Sequence, residues 1–443
     1  MQMTKVGAGW LGAAVVGLGV TSLAPPAQAQ SEDTQYFPLL VYRTGPYAAN
    51  GAQLANGMID YLKLVNANGG VNGVMVSWEE CETEYQTDAG VECYERLKGN
   101  GAVAAVSPFS TGITYALLEK VAADEIVMFS MGYGRTSAAD GTVFPWVFNF
   151  PATYWSQATS IMKYIADQEG GFDQLAGKKI GLVHLDHPYG REPIPTLERM
   201  AEDHGFELLL YPVPTGSMTD QKSIWLDIRR VDPEWLMMWG WGAMNPTAIK
   251  EASLIRYPMD HFIGNWWSAA EVDVRGSGVP AEGYVGANFH DVGDAAPVFA
   301  EIREKVYDGG DGTGPESEIG EVLYNRGVAN SAFVVEAMST AMQEYGNKVL
   351  TSEEMRWGFE NLDITPERIE ELGLTGVVPP TEVTCSNHEG TEPAVKLQRW
   401  DGEKWTVFTD WIPAMTEVVR PMIEADAEQY AEENGITPRD CTS

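Results

Sequence analysis

The chain has 443 residues, 44% of them apolar, so it is long enough for two or three domains with their own cores and is not intrinsically disordered. Its 63 acidic residues outnumber 29 basic ones, and the formal charge of −34 disfavours binding to nucleic acid or to an anionic membrane. The acidic residues are spread along the chain as on a solvated surface, with calcium storage as the alternative.

The first 29 residues have the features of a secretory signal peptide. After Lys5, an uncharged run extends from Val6 to Leu23, and the small-residue site Ala27-Gln28-Ala29 follows. We predict cleavage after Ala29 and no membrane insertion. The apolar stretch is glycine-rich and short, and no other window approaches the roughly 18 to 20 apolar residues that span a bilayer.

From Tyr36 onward, short β-rich runs alternate with amphipathic helices, which is the rhythm of a parallel α/β sheet. A first doubly wound unit therefore ends near Phe150. Its predicted strands are 36–42, 74–78, 102–106 and 126–129, and its predicted helices are 54–65, 88–97 and 113–121.

A second series repeats this architecture, so we predict two α/β lobes of similar size. Its strands are 179–185, 207–213, 235–239, 262–264 and 283–287, and its helices are 155–168, 193–204, 219–230 and 246–256. Beyond Asn288 the pattern is helical at 298–307, 328–342 and 352–361. Two strands, 394–400 and 404–409, then flank Asp401-Gly402, a strong hairpin signal.

The four cysteines of an exported chain indicate two disulfides. Four cysteines allow three connectivities. The favoured pairs are Cys81 with Cys93, where a strand end meets the next helix, and Cys385 with Cys441, which would tie down the tail.

Catalytic and cofactor motifs are absent or weak. The pattern G-x-G-x-x-G occurs at 7–12, inside the segment expected to be removed, so no cofactor is predicted. The mature chain has no G-x-S-x-G, H-E-x-x-H or P-loop, which argues against an enzyme. His184 to His187 and the acidic loop 308–316 are weak alternatives for metal or calcium, and no metal site is predicted.

Hydroxyl-rich and glycine-rich loops follow three predicted strands of the first half. In open α/β sheets, ligands bind beyond the carboxyl ends of the strands, and helix N-termini there favour small anions. Ordinary helix capping is the alternative for each residue. The candidate ligand-binding residues of these loops are Tyr47, Ser107, Ser110, Thr111, Ser130, Met131 and Gly132.

Aromatic residues occupy matching positions in the second half. Tyr189, Trp241 and Trp266 follow predicted strands, and Tyr154 lies near the crossover between the halves. Such a cluster is typical of a pocket wall that binds flat rings, apolar chains or cationic groups, although each residue alone could serve core packing.

Several short motifs occur together in a recognisable order. They are Thr44-Gly-Pro, Ser107 with Ser110-Thr111, Asp186-His-Pro-Tyr189-Gly190, Pro214-x-Gly216 with Asp220, Phe262-Ile-Gly264, and Trp400-Asp-Gly402 with Trp411. In this order the chain, from about Tyr36 to Pro413, resembles the periplasmic solute-binding proteins of branched-chain amino acid and amide ABC transporters, of the leucine-binding type.

The resemblance implies a type I periplasmic binding fold, in which two doubly wound lobes joined by three crossovers close on a small ligand. It implies lobe one at 36–150 plus 289–370, lobe two at 151–288 plus 371–413, and an acidic helical tail at 414–443. The expected partners are a small molecule and permease subunits in the inner membrane, and we expect a periplasmic monomer. By position, Ser107, the turn 130–132, Tyr189, Trp241 and Trp266 fall where this family contacts its ligand.

Trp266 stands where an amino-acid binder of this family would have an acidic partner for the ligand's ammonium group. Burying an ammonium without a carboxylate costs several kcal/mol. Glu271 or Asp273 are alternative partners. The sequence therefore leaves an amino acid, an amide or an apolar or aromatic carboxylate as ligand. Two other functions stay open: the ligand-binding subunit of a chemosensory receptor, and an exported enzyme on the same scaffold.

Overall fold

The computed structural model describes residues 2–3 and 33–441, so the predicted cleavage after Ala29 lies outside the described residues. Its first sheet has the strand order β2-β1-β3, all parallel, and single bridges at Ser107 and Met128 extend it to the parallel pair β4-β5. This unit, the first lobe, contains β1 Thr34–Val41, α1 Ala48–Ala67, β2 Met75–Glu82, α2 Thr87–Leu97, β3 Ala102–Val103, α3 Thr111–Asp124, β4 Met128–Phe129 and β5 Val147–Phe148.

The second lobe is built on a larger sheet. Its first part contains α4 Tyr154–Glu169, β6 Lys179–Leu185, α5 Pro188–Arg191, α6 Ile194–His204, β7 Glu207–Val213, α7 Lys222–Val231, β8 Trp235–Trp239, α8 Met244–Ile255, β9 Phe262–Gly264, α9 Glu271–Gly276 and β10 Val285–Asn288. Strand β8 is buried along its whole length, as expected for a parallel strand covered on both faces.

The chain then returns to the first lobe and crosses again. The remaining elements are α10 Pro297–Ile302, α11 Val322–Tyr345, α12 Ser352–Glu360, β11 Asp363–Ile364, α13 Pro366–Glu371, β12 Thr381–Glu382, β13 Ala394–Trp400, β14 Trp405–Val407, β15 Ile412–Pro413 and α14 Thr416–Asn434. Helix α11 packs along α1, and the second sheet has the order β7-β6-β8-β9-β10-β13-β14, with β13 antiparallel to β10.

The last crossover lies later than predicted. The sequence placed residues from 371 in lobe two, but Val383 donates its backbone N–H to Leu362 and His388 donates to Ala139, both beside the first lobe. Strand β13, which begins at Ala394, then joins the second sheet by pairing with β10 from Lys396 onward.

The predicted disulfides Cys81–Cys93 and Cys385–Cys441 are both formed. The acidic tail is helical, and α14 packs Val419 and Ile423 against Ala139 of the first lobe and Trp155 of α4. Across residues 33–441, no helix is long and apolar enough to cross a bilayer.

Candidate functional site

The amino-terminal end of α3 lies between the lobes. Ser110 caps this helix, because its Oγ accepts a hydrogen bond from the Ile113 N–H at 3.4 Å. The Thr111 hydroxyl accepts from the Gly134 N–H at 3.2 Å, which ties the helix to the following loop. The first N–H groups of a helix have no partner within it and carry partial positive charge, so this end can receive an anion.

Two tyrosine hydroxyls face this helix end. The Tyr85 hydroxyl faces Ser110 and the Tyr154 hydroxyl faces Thr111, yet neither makes a hydrogen bond of normal geometry with another described residue. Burial raises the pKa of both hydroxyls well above the usual 10.0, so both stay protonated donors. Helix dipole and hydroxyl donors together form a receptor for a carboxylate.

His187 of the second lobe covers the same helix end. A Cβ added to Gly112 would lie 3.1 Å from the imidazole Cε1, so the histidine sits directly over α3. Burial lowers the pKa of His187, and the charge of Arg191 lowers it further, which keeps the ring neutral at neutral pH. Its Nδ1 accepts from the Tyr189 N–H at 3.4 Å.

The predicted indole wall faces the predicted turn. The indole N–H groups of Trp266 and Trp267 both donate to the carbonyl of Gly132, at 2.9 and 2.5 Å. Trp267 stacks on Tyr133 with ring centroids 4.5 Å apart, and Trp266 stacks on Tyr154 at 5.4 Å. The turn of one lobe and the tryptophans of the other therefore meet across the gap.

Trp241 and Tyr47 extend this aromatic contact. Trp241 is fully buried and packs edge-on against Trp267 at 5.3 Å and against Tyr42 at 6.4 Å. The Tyr47 ring lies against Gly242, where a Cβ would come within 2.5 Å of its Cδ1. Both predicted residues thus lie between the lobes.

Three predicted residues of the first lobe are held within that lobe. Ser107 is buried and pairs by a backbone bridge with Leu39. The Ser130 hydroxyl lies 3.1 Å from that of Thr114, and Met131 is buried beside it in the chain. Their contacts shape the loops, and their role in ligand binding stays a prediction.

Tyr189 is likewise engaged inside its own lobe. Its hydroxyl donates towards the Gly240 carbonyl at 2.9 Å and lies 3.0 Å from Asn265 Oδ1. Its ring nevertheless packs edge-on against Tyr154, with centroids 5.5 Å apart. Tyr189 therefore supports the aromatic wall through its ring.

The two alternative acidic partners are engaged by protein donors. Asp273 accepts from the Ala270 N–H at 3.0 Å and from the amides of Asn245 and Asn50 at 3.1 and 3.4 Å. Glu271 accepts from the first N–H of α11 at 3.0 Å. Burial raises the pKa of each carboxyl to about 7. Neither carboxyl is therefore available as the charged partner of an ammonium group without losing these bonds.

A buried arginine that the sequence analysis missed supports the tryptophans from α11. The Arg326 guanidinium lies 4.7 Å from the Trp267 ring and donates to the Trp266 carbonyl, to Asn288 Oδ1 at 2.6 Å and to His290 Nε2 at 3.3 Å. The sequence feature that could have indicated Arg326 is a charged residue within a largely apolar helix. Tyr85 was also missed. Trp267 belongs to the aromatic run Asn265-Trp266-Trp267 that the sequence indicates as a pocket wall, but it was not among the candidate ligand-binding residues.

The weak metal motif does not form a ligand set in the described part of the chain. Within residues 33–441, no three His, Cys, Asp or Glu side chains are grouped as metal ligands. His184 Nδ1 instead lies 3.2 Å from the backbone carbonyl of Leu185, and burial lowers its pKa.

Two α/β lobes that enclose a polar helix end and an aromatic wall define the class of two-lobed solute-binding proteins. The chain belongs to the periplasmic binding protein family, whose sequence profile matches residues 34–404. Because this is a family of binding proteins, it confirms the prediction that the chain is not an enzyme.

Solved structures share the fold over most of their length. One, described as an ABC transporter permease from the Pseudomonas fluorescens group, is 39% identical with a TM-score of 0.87 and covers 93% of this chain and 100% of its own. A branched-chain amino acid ABC transporter protein from Thermus thermophilus, with bound valine, is 20% identical with a TM-score of 0.72, over 88% of this chain and 99% of its own.

The curated relatives match a shorter stretch. Leu/Ile/Val-binding protein homolog 1 of Brucella abortus (strain 2308) is 23% identical over 205 residues, which are 46% of this chain and 53% of that protein. The chain thus spans about half the length of the curated relatives it matches.

Proposed function

We propose that this protein is the extracytoplasmic solute-binding subunit of an ABC importer, which captures a small organic carboxylate between its lobes and delivers it to permease subunits. The observation that carries this proposal is the end of α3, where the hydroxyls of Tyr85 and Tyr154 are buried without a partner of normal geometry. Buried polar groups are nearly always hydrogen-bonded, so both hydroxyls can donate to the oxygen atoms of a carboxylate that binds at this helix end.

The favoured ligand has an aromatic or apolar body and no free ammonium group. Trp266 occupies the position of the expected acidic residue, and Asp273 and Glu271 are bonded to protein donors. An ammonium group buried there would lack a charged partner, which costs several kcal/mol. A flat ring, in contrast, can stack on the indole and phenol faces.

A thermal-shift and calorimetric comparison tests the proposal. The probes are sodium benzoate, benzamide, benzylamine, L-valine and a quaternary ammonium salt. Together they vary the charged group of the ligand and its aromatic or apolar part separately. Benzoate is expected to raise the Tm, since a ligand at 100 times its Kd adds about 2.7 kcal/mol. A shift with benzylamine and none with benzoate would contradict the carboxylate assignment. A shift with L-valine and none with benzoate would contradict the absence of a free ammonium group from the ligand.

Trp266→Ala tests the aromatic wall. This change removes the face that stacks on Tyr154, so we expect the Kd for the bound probe to rise tenfold or more. Trp411→Ala is the matched control, because that indole is 37% exposed and packs beside Lys396. An unchanged Kd in Trp266→Ala would remove this residue from the site.

A further inference from the structure

Glu192 extends from the second lobe to the first. The residue lies between α5 and α6, in the segment that follows β6. It is buried although its side chain is a carboxylic acid. The Trp155 indole N–H donates to the Glu192 carbonyl at 2.8 Å, so the backbone of this residue is anchored within its own lobe. Its side chain, in contrast, has hydrogen-bond partners among residues 33–441 only across the gap.

The carboxylate accepts hydrogen bonds from two residues of the first lobe. Oε2 accepts from the Thr136 hydroxyl at 2.7 Å and from the Thr136 N–H at 3.3 Å, and Oε1 accepts from the Tyr115 hydroxyl. Gly134 leaves the necessary space, because a Cβ at this position would overlap Oε1. Gly134, Tyr115 and Thr136 therefore provide the space and the donors for the Glu192 carboxylate between the lobes.

The neighbouring arginines are bonded elsewhere. Arg135 pairs with Asp426 of α14 at 2.5 Å, and Arg191 pairs with Asp186 at 2.5 Å. Neutral donors of the first lobe thus hold the buried Glu192 carboxylate. When the lobes close, the Glu192 carboxylate exchanges water for these donors, and closure without them would leave a buried carboxylate unpaired, which is strongly unfavourable.

This contact is joined to the candidate site through α3. Tyr115 lies one turn after Thr111, and the Gly134 N–H donates to the Thr111 hydroxyl at 3.2 Å. The same helix turn and the same loop therefore face the proposed ligand on one side and Glu192 on the other. Ligand capture and the Glu192 contact need the same position of α3.

We infer that Glu192 is a positioning residue, an interlobe latch whose carboxylate bonds to Tyr115 and Thr136 and holds the lobes closed with or without ligand. The latch lengthens the lifetime of the closed state, so it slows ligand release. Because ligand enters only the open form, a latch that closes the ligand-free protein also slows association, in proportion to the closed fraction. Its effect on ligand lifetime rests on the proposed function, whereas its effect on closure does not.

Interlobe distance in the ligand-free protein tests the latch directly. Spin labels on cysteines introduced at Ala123 and Glu202, both exposed and one on each lobe, report the open and closed populations. Glu192→Ala and Glu192→Gln are expected to lower the closed fraction at least threefold. Glu198→Gln, an exposed change on α6, is the matched control and should leave it unchanged.

A double-mutant cycle separates the latch from a general loss of structure. If Glu192 and Tyr115 act as one contact, Glu192→Gln and Tyr115→Phe together should lower the closed fraction no more than the stronger single change. Three outcomes would overturn the latch. The two changes could act independently, so that their effects multiply; Glu192→Ala could give the same distances as wild type; or the ligand-free wild type could show no closed population.

Stopped-flow tryptophan fluorescence with sodium benzoate gives the ligand readout. We expect Glu192→Gln to raise the dissociation rate about fivefold or more, and to raise the association rate by no more than the increase in the open fraction that the spin labels report. An unchanged dissociation rate would overturn the latch. Absence of any benzoate signal in wild type contradicts the proposed ligand, and the spin-label distances then decide the latch by themselves.

Discussion

The hydroxyls of Tyr85 and Tyr154 lie in the protein interior next to a helix end that can receive an anion. An unsatisfied buried donor destabilises the ligand-free protein by roughly 1 to 3 kcal/mol. The same donor strengthens the binding of any carboxylate that reaches it. Stability and ligand affinity are therefore opposed at these two positions.

Tyr85→Phe should separate the two effects. We expect the Tm without ligand to stay equal or rise, because a donor without a partner is removed, and the Kd for a carboxylate probe to rise roughly tenfold. Tyr211→Phe is the matched control, since its hydroxyl is also buried without a partner but belongs to β7. If both variants bind alike, Tyr85 does not contact the ligand.

Asp273 gives the protein a pH-dependent stability. Burial raises its pKa from 3.8 to about 7, so between these values the folded protein holds a proton that the unfolded chain releases. Stability from this group is therefore complete below about pH 4 and falls as the pH rises towards 7. Glu271, whose pKa is also raised to about 7, adds a change of the same sign.

Asp273→Asn should flatten this dependence. In urea unfolding measured from pH 4 to pH 8, the loss of unfolding free energy should shrink by up to about 4 kcal/mol relative to wild type. Glu202→Gln, an exposed carboxylate on α6, is the control and should keep the wild-type slope. An unaltered slope in Asp273→Asn would mean that this carboxylate is not desolvated.

At the scale of elements, α14 connects the two lobes. Its start is bonded to α4, where the Thr159 hydroxyl accepts from the Met415 N–H at 3.0 Å. Further along, Asp426 pairs with Arg135 of the first lobe. The Cys385–Cys441 disulfide then fastens the segment that follows α14 to the last crossover. Helix and disulfide together connect α4, the first lobe and the last crossover.

Removing the two disulfides separately should have unequal effects. Cys385 and Cys441 are 56 residues apart and Cys81 and Cys93 are 12 apart, so the first pair restricts the unfolded chain more. We expect Cys385→Ser with Cys441→Ser to lower the unfolding free energy by about 2 to 4 kcal/mol, and the other double variant by less. Urea unfolding of both variants measures this, and the reverse order would show that α14 docks without its link.

Long periodic elements were predictable from the sequence, and very short ones were not. The strands of β6, β7 and β8 and the helix α4 carry enough apolar residues in period to be recognised. The two-residue strands β5 and β11 were missed, because pairing with a neighbour defines them and no local pattern does. Strand β2 runs to Glu82, beyond its predicted end, because it pairs with β1 throughout.

The positions of the candidate loops were predictable from the sequence for a similar reason. Loops after parallel strands converge at one sheet edge, which brought Thr111, Gly132 and Trp266 to the gap. Which atoms face the ligand depends on side-chain partners that a sequence does not show. The Ser130 hydroxyl, for example, bonds within its lobe, whereas Tyr85 enters the site from an irregular loop.

At the scale of the whole molecule, the formal charge of −34 is a source of repulsion. Screening extends over about 10 Å at 0.1 M salt and about 3 Å at 1 M. We expect NaCl between these concentrations to raise the Tm by at least about 3 °C. KCl should act equally, because screening does not distinguish the two cations. A Tm that stays flat or falls would show that ion pairs outweigh the repulsion.

The position of Cys441 also orders the maturation of the molecule. This residue follows every described strand and helix, whereas its partner Cys385 precedes the final strands of the second sheet. In a chain that crosses a membrane amino end first, both lobes can assemble before Cys441 reaches an oxidising compartment. In such a chain the Cys385–Cys441 disulfide is expected to form after both lobes, as an oxidation that follows packing.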